Sequence, residues 1–201
     1  VCMDKNYFRI VSSAATREHD KYHILKYLDD DVSFKDVTED ICCLGLFGPK
    51  SREMISKISN DDFSNDKFKF GTGKFIMING VKVWAQRLSY VGELGFELYV
   101  DSSLAKDLYE ILIEEGKNFE LSHCGMHAMD IMRMESGFVH WGHDISPEEN
   151  QYQAGLKFAI SYRKNVNFIG KDALLKIKDQ KLDKRMMTVS YTHLTLPTNR
   201  E

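Results

Sequence analysis

Asn79-Gly80 stands between two strand-like runs, Phe75-Ile-Met-Ile78 and Val81-Lys-Val-Trp-Ala85. Both residues tolerate positive φ, which a two-residue turn matching the twist of its flanking strands demands, so the pattern dictates an antiparallel hairpin. The second strand is expected to continue to Tyr90. A glycine-containing turn, Val91-Gly-Glu-Leu-Gly95, follows, and Phe96-Glu-Leu-Tyr-Val100 returns as another strand. Its period of two places Phe96, Leu98 and Val100 on one face.

The flanking segments supply strands and helices to pack against this unit. Tyr7-Phe-Arg-Ile-Val11 reads as a strand, and Thr16 as the N-cap of a helix with the apolar stripe Ile24, Leu25 and Leu28. Ile41 to Phe47 reads as a buried strand. Gly48-Pro49 then opens a helix that turns Met54, Ile55 and Ile58 inward. Ser102 or Ser103 is expected to cap a helix carrying Leu104, Leu108, Ile111 and Leu112, with Gly116 as its stop. A last helix, 126 to 136, would bury Ala128, Ile131 and Met132 and end at Gly137; Met126, Met129, Met132 and Met134 read as adaptable core. Arg133 and Glu135 lie two apart, do not face one another, and read as surface residues. Strands, hairpins and helices in this order predict an α+β fold with mixed or antiparallel sheets and packed helices. With 201 residues, 43% of them hydrophobic, the chain can build a real core. From about Tyr191 the sequence has no strand or helix pattern and resembles translated adapter sequence, so it stands outside the fold.

Several function classes are disfavoured by composition. The net charge of −3, with acids and bases interleaved, lacks the positive field of nucleic-acid binding. The apolar runs are far shorter than the ~20 residues of a membrane span, and no signal-like segment opens the chain, so a soluble protein is expected. Cys2, Cys42, Cys43 and Cys124 lack disulfide or zinc spacing, which suits a reducing compartment, cytoplasm or mitochondrial matrix. Cys42 and Cys43 should point to opposite strand faces as small buried hydrophobes. His140, His143 and Asp144 are ligand types that zinc prefers, but no partner cluster completes them and no metal site is expected. Gly45-Leu-Phe-Gly-Pro-Lys-Ser51 fails the spacing of a phosphate loop.

Three segments, taken in order, carry a family likeness: Leu44-Gly-Leu-Phe-Gly-Pro-Lys-Ser51; Arg87-Leu-Ser-Tyr-Val-Gly-Glu-Leu-Gly-Phe-Glu-Leu-Tyr-Val100; and Asp130-Ile-Met-Arg-Met-Glu-Ser-Gly137, continued by Trp141-Gly-His-Asp144, Ala154-Gly-Leu156 and Phe168-Ile-Gly-Lys-Asp-Ala-Leu174. Together they resemble the glycine-cleavage T-protein (aminomethyltransferase) family, in the version fused to sarcosine and dimethylglycine dehydrogenases. The resemblance implies a chain cut at both ends: a partial folate-binding domain over 1–180, the start of a C-terminal barrel over 181–190 and a non-native tail over 191–201. It implies tetrahydrofolate as cofactor, contacted by Glu97 and Tyr90. FAD and the oxidation of an N-methyl amine would belong to a missing upstream dehydrogenase domain, fused or associated.

Chemistry supports Glu97 independently. A pterin presents a ring N–H beside an exocyclic amine, and an ionised carboxylate can accept both in parallel charge-assisted bonds. Phe96 and Leu98 are expected to exclude water from it, and Tyr90 to add an aromatic wall or a hydroxyl. On residue chemistry alone Glu97 reads more ordinarily as the wet face of an amphipathic strand, and Tyr90 equally well as a half-buried strand aromatic; the resemblance favours the ligand. The family's arginine before the helix aspartate is Met129 here, its proline-x-glutamate is Gln151-Tyr-Gln153, and its asparagine in the segment after the strand of the catalytic aspartate is Ser13. Its catalytic aspartate aligns before Val1, so the catalytic residue is not identified in this chain. The other readings are a free-standing aminomethyltransferase and a non-catalytic folate binder of the iron–sulfur maintenance branch. The latter's cysteine is missing from Asn167-Phe-Ile-Gly170.

Overall fold

The computed structural model describes residues 1–164 and 166–189. The expected tail, 191–201, lies outside the described residues, as does the last residue of 181–190. Four strands form one antiparallel sheet in the order β3-β6-β5-β4: β3 (Ile41–Phe47), β4 (Gly73–Ile78), β5 (Val81–Gln86) and β6 (Gly95–Asp101). A two-stranded ribbon, β1 (Cys2–Asp4) with β2 (Tyr7–Phe8), precedes it. The helices are α1 (Arg17–Lys26), α2 (Ser51–Ile58), α3 (Ala105–Gly116), α4 (Met126–Glu135) and α5 (Lys171–Ile177). The fold is α+β, as expected.

The β4–β5 hairpin turns where the sequence requires it. Asn79 and Gly80 take φ of 43° and 88°, and Asn79 N–H donates to the Ile58 carbonyl at 3.1 Å, tying the turn to the end of α2. β6 pairs with both β3 and β5. Its inward residues Phe96, Leu98 and Val100 meet Leu46 of β3, Val83 and Ala85 of β5, and Ile76 and Ile78 of β4. Above this face lie α2, through Met54, Ile55 and Ile58, and α3, through Leu108 and Leu112. Phe63 and Phe68 close the end of the core, their rings 5.5 and 5.4 Å from that of Phe96.

Several expectations give way to tertiary context. The strand at Tyr7 stops at Phe8, so Arg9 to Val11 are not part of it. Thr16 directs its hydroxyl to Asp20 at 2.7 Å instead of capping an amide, and the α1 stripe packs poorly, with Leu25 exposed and Leu28 beyond the helix. β3 is an edge strand and buries only Leu46; Cys42 is half-buried and Cys43 exposed, so the pair is not buried. β5 ends at Gln86, which leaves Tyr90 in a loop. Asp101 accepts from Ser103 N–H at 2.9 Å and starts the turn into α3, the role expected of Ser102 or Ser103; Leu104 sits in that turn. Gly116 is itself helical, and the chain reverses at Glu120, φ 59°. In α4, Ala128 and Ile131 are exposed, as are Met126 and Met134. The buried residue there is Arg133.

The aromatic cluster gives a direct check of this core. Phe96→Ala removes a fully buried ring that meets two others and should cost about 3–5 kcal/mol in urea unfolding. A loss below about 1 kcal/mol would mean that the cluster is not packed this way.

Candidate functional site

The face of the sheet turned away from α2 and α3 carries the second set of alternating side chains. Cross-strand register aligns them in rows. One row runs Gly45, Glu97, Gln86, Gly73 from β3 to β4, and the next runs Cys43, Tyr99, Trp84, Phe75. The glycines at the ends of the first row leave room that neighbouring rings occupy. A Cβ on Gly45 would come within 2.6 Å of the Phe47 ring, one on Gly95 within 2.3 Å of it, and one on Gly73 within 2.5 Å of the Trp84 indole. Glu97 and Gln86 thus lie among Phe47, Tyr99 and Trp84.

Tyr99 donates its hydroxyl to Glu97 Oε2 at 2.7 Å. Burial, and then this bond, push the Tyr99 hydroxyl far above the ordinary tyrosine range, so it remains a donor. Glu97 is half-buried, and its other oxygen has no hydrogen-bond partner among the described residues. Phe96 and Leu98, expected to exclude water from it, point into the core on the opposite face; Tyr99 and Phe47 take that place. Cys43 faces Tyr99 across the strand pair. Desolvation and the Glu97 carboxylate push its thiol up to about 11, although one side is open to solvent.

Two polar atoms of these rows are without partners. Trp84 Nε1 and Gln86 Oε1 are buried and unbonded, as is Ser89 Oγ in the following loop. A buried donor or acceptor left unpaired costs about 1–3 kcal/mol. Such atoms grouped beside a carboxylate and aromatic rings fit a ligand with its own donors and acceptors.

Tyr90 stands apart from this group. Its ring stacks on Phe138, centroids 6.2 Å apart, and its hydroxyl reaches the Val139 carbonyl at 3.5 Å. Burial raises its pKa, with Arg133 opposing. The loop is anchored by Gly92, φ 79°, where an added Cβ would meet Ser136 Oγ at 2.0 Å, while that hydroxyl donates to the Val91 carbonyl at 3.1 Å. Tyr90 and Glu97 share no hydrogen bond among the described residues.

Arg133 organises the wall behind Tyr90. Its guanidinium donates to Asp130 at 2.8 Å, to the Phe138 carbonyl at 3.1 Å and to Asp144. The Arg133 hydrogen bond lowers the Asp130 pKa. Asp144 also accepts from His140 N–H at 2.8 Å, which commits it to this network; the His140 and His143 rings stack at 4.5 Å. Among the described residues no group of three His, Cys, Asp or Glu is placed to hold a metal ion, and no helix is long and apolar enough to cross a membrane. Gln153 is buried, accepting from Asn150 N–H at 3.0 Å and donating to Asp183 at 2.7 Å.

Residues 1–164 match the family model described as the GCVT N-terminal domain. The chain is 41% identical over 155 residues to 4-methylaminobutanoate oxidase (formaldehyde-forming) of Paenarthrobacter nicotinovorans, covering 77% of the chain and 19% of the relative. It is 31% identical over 190 residues to mitochondrial dimethylglycine dehydrogenase of Homo sapiens, covering 91% and 22%. It is 36% identical over 183 residues to the aminomethyltransferase of Caldanaerobacter subterraneus subsp. tengcongensis, covering 90% and 48%. The chain therefore spans about a fifth of the oxidase and dehydrogenase relatives and about half of the aminomethyltransferase. The solved aminomethyltransferase T of the Bartonella henselae glycine cleavage system shares the fold: TM-score 0.66, 22% identity, 82% of this chain and 44% of that one.

The influence of the Glu97 carboxylate on Cys43, in the neighbouring row, can be read chemically. At pH 8, peptide mapping of thiol labelling should find the exposed Cys2 and Cys124 modified before Cys43. Glu97→Gln removes a negative charge that disfavours the thiolate, so it should lower the Cys43 pKa and speed its labelling. An unchanged or slower Cys43 rate would contradict the placement of the carboxylate.

Proposed function

Since the chain belongs to the GCVT N-terminal domain family, we propose that it is the tetrahydrofolate-binding part of a one-carbon (aminomethyl or methylene) transferase, with Glu97 holding the pterin. The observation that carries the proposal is the Glu97 carboxylate, held by Tyr99 on an aromatic sheet face beside buried polar atoms without partners. The free oxygen of Glu97 would accept one pterin N–H, and Oε2 a second beside the Tyr99 bond. Gln86 Oε1 lies opposite in register and would accept a further donor. Tyr99, Trp84 and Phe47 would strengthen these bonds by excluding water. Tyr90, stacked on Phe138 apart from the Glu97 group, would add a separate aromatic contact to the folate from the loop. Bound tetrahydrofolate would supply the nitrogen nucleophile that receives the one-carbon unit.

The fused arrangement is the preferred setting. It is supported by the 41% identity to an oxidase and the likeness to dimethylglycine dehydrogenase. There a flavin domain elsewhere in the protein would oxidise an N-methyl amine, and the full enzyme would work in the mitochondrial matrix or the cytoplasm. The free-standing enzyme is the second reading, supported by 36% identity over 183 residues. We take residues 1–180 as part of a folate-binding domain and 181–190 as the entry to a second domain. On this reading the 201 residues bind tetrahydrofolate.

Calorimetric titration of tetrahydrofolate into the chain tests the site. Hydrogen bonds to a charged group contribute about 1.5–3 kcal/mol, so Glu97→Gln should weaken binding about tenfold or more while circular dichroism stays unchanged. Equal affinity in the folded variant would remove Glu97 from the site.

A further inference from the structure

Gln86 ends β5 on the same outer face as Glu97, its Cα partner across the β5–β6 ladder. Only 6% of Gln86 is exposed, and its amide oxygen is buried with no hydrogen-bond partner. Gln86 and Glu97 are the two central residues of a row that ends in Gly45 and Gly73. The Phe47 ring takes the side-chain space of Gly45, and the Trp84 indole that of Gly73. A flat ligand held between those rings therefore meets a carboxylate and a primary amide on neighbouring strands.

The two groups differ in what they can bind. An ionised carboxylate only accepts, whereas an amide accepts through Oε1 and donates through Nε2 in one plane. A pterin has an edge for each. Its ring N3–H and 2-amino group form the donor pair that suits Glu97. The adjoining edge holds N1, which is an acceptor, and N8, which carries a hydrogen in the 7,8-dihydro and tetrahydro rings but a lone pair in the fully oxidised ring. An acceptor beside a donor is the complement of an amide. Two acceptors are not, because one lone pair then faces the amide oxygen whichever way the amide turns.

We infer that Gln86 selects the reduction state of the pterin, its Oε1 accepting from N8–H and its Nε2 donating to N1 while Glu97 holds the neighbouring edge. This role rests on the folate reading of the site and adds to it a residue that tells reduced from oxidised folate.

Tetrahydrofolate, 7,8-dihydrofolate and folic acid differ in the oxidation state of the ring, and the first two carry N8–H. In anaerobic calorimetry with the 201-residue chain, both reduced folates should bind at least about tenfold more tightly than folic acid, the expected cost of leaving a buried acceptor unpaired. Gln86→Leu should weaken the two reduced ligands and leave folic acid unchanged or tighter, bringing all three within about threefold of one another. Dihydrofolate that binds as weakly as folic acid would assign the selectivity to N5 or to ring pucker and overturn the inference without any variant. Equal binding of the three by the parent chain, or a full preference kept by a folded Gln86→Leu chain, would overturn it as well. Binding of none of the three would instead remove the folate reading, and the role of Gln86 with it.

Discussion

β6 is paired on both edges, so its register is held by hydrogen bonds to β3 and β5 together. A slip by one residue would bring Glu97 and Tyr99 into the core and turn Phe96, Leu98 and Val100 out to the far face. Burying an unpaired carboxylate under α2 and α3 is costly enough to forbid that alternative. The burial that stabilises the domain therefore also orients the outer face. Core and candidate site are two sides of one seven-residue strand.

Local chemistry explains how much of this was legible. The Asn79-Gly80 turn and the period of two in Phe96, Leu98 and Val100 are signals contained in neighbouring residues, and the structure follows them. Met54, Ile55 and Ile58 after Gly48-Pro49 are equally local. Tyr99 carries the same period as Glu97, two residues on, and reading that face as a unit would have found it. Arg133 had a signal in Asp130, three residues earlier on the same helix; its burial depends on Asp144 and the Phe138 carbonyl, which only the fold brings near. Tyr90 was misplaced because strand propensity continues beyond Gln86, whereas the loop is drawn off the sheet by the contact of Gly92 with Ser136. Arg9 read as part of a strand and became a cap over Tyr99.

Family membership and geometry meet at a carboxylate on an aromatic face. Hydrogen bonding to Tyr99 limits the rotamers open to Glu97, which reduces the ordering cost of receiving a ligand there. Rigid aromatic rings and an oriented acceptor suit the recognition of a flat heterocycle.

We propose that Glu97 recognises the pterin as a carboxylate positioned by Tyr99. A double-mutant cycle on tetrahydrofolate affinity, using Glu97→Gln, Tyr99→Phe and the pair, measures that dependence. Tyr99→Phe should weaken binding when Glu97 is present and have little further effect once Glu97→Gln has been made. Additive effects, or a Tyr99→Phe variant that binds as tightly as the parent chain, would contradict it.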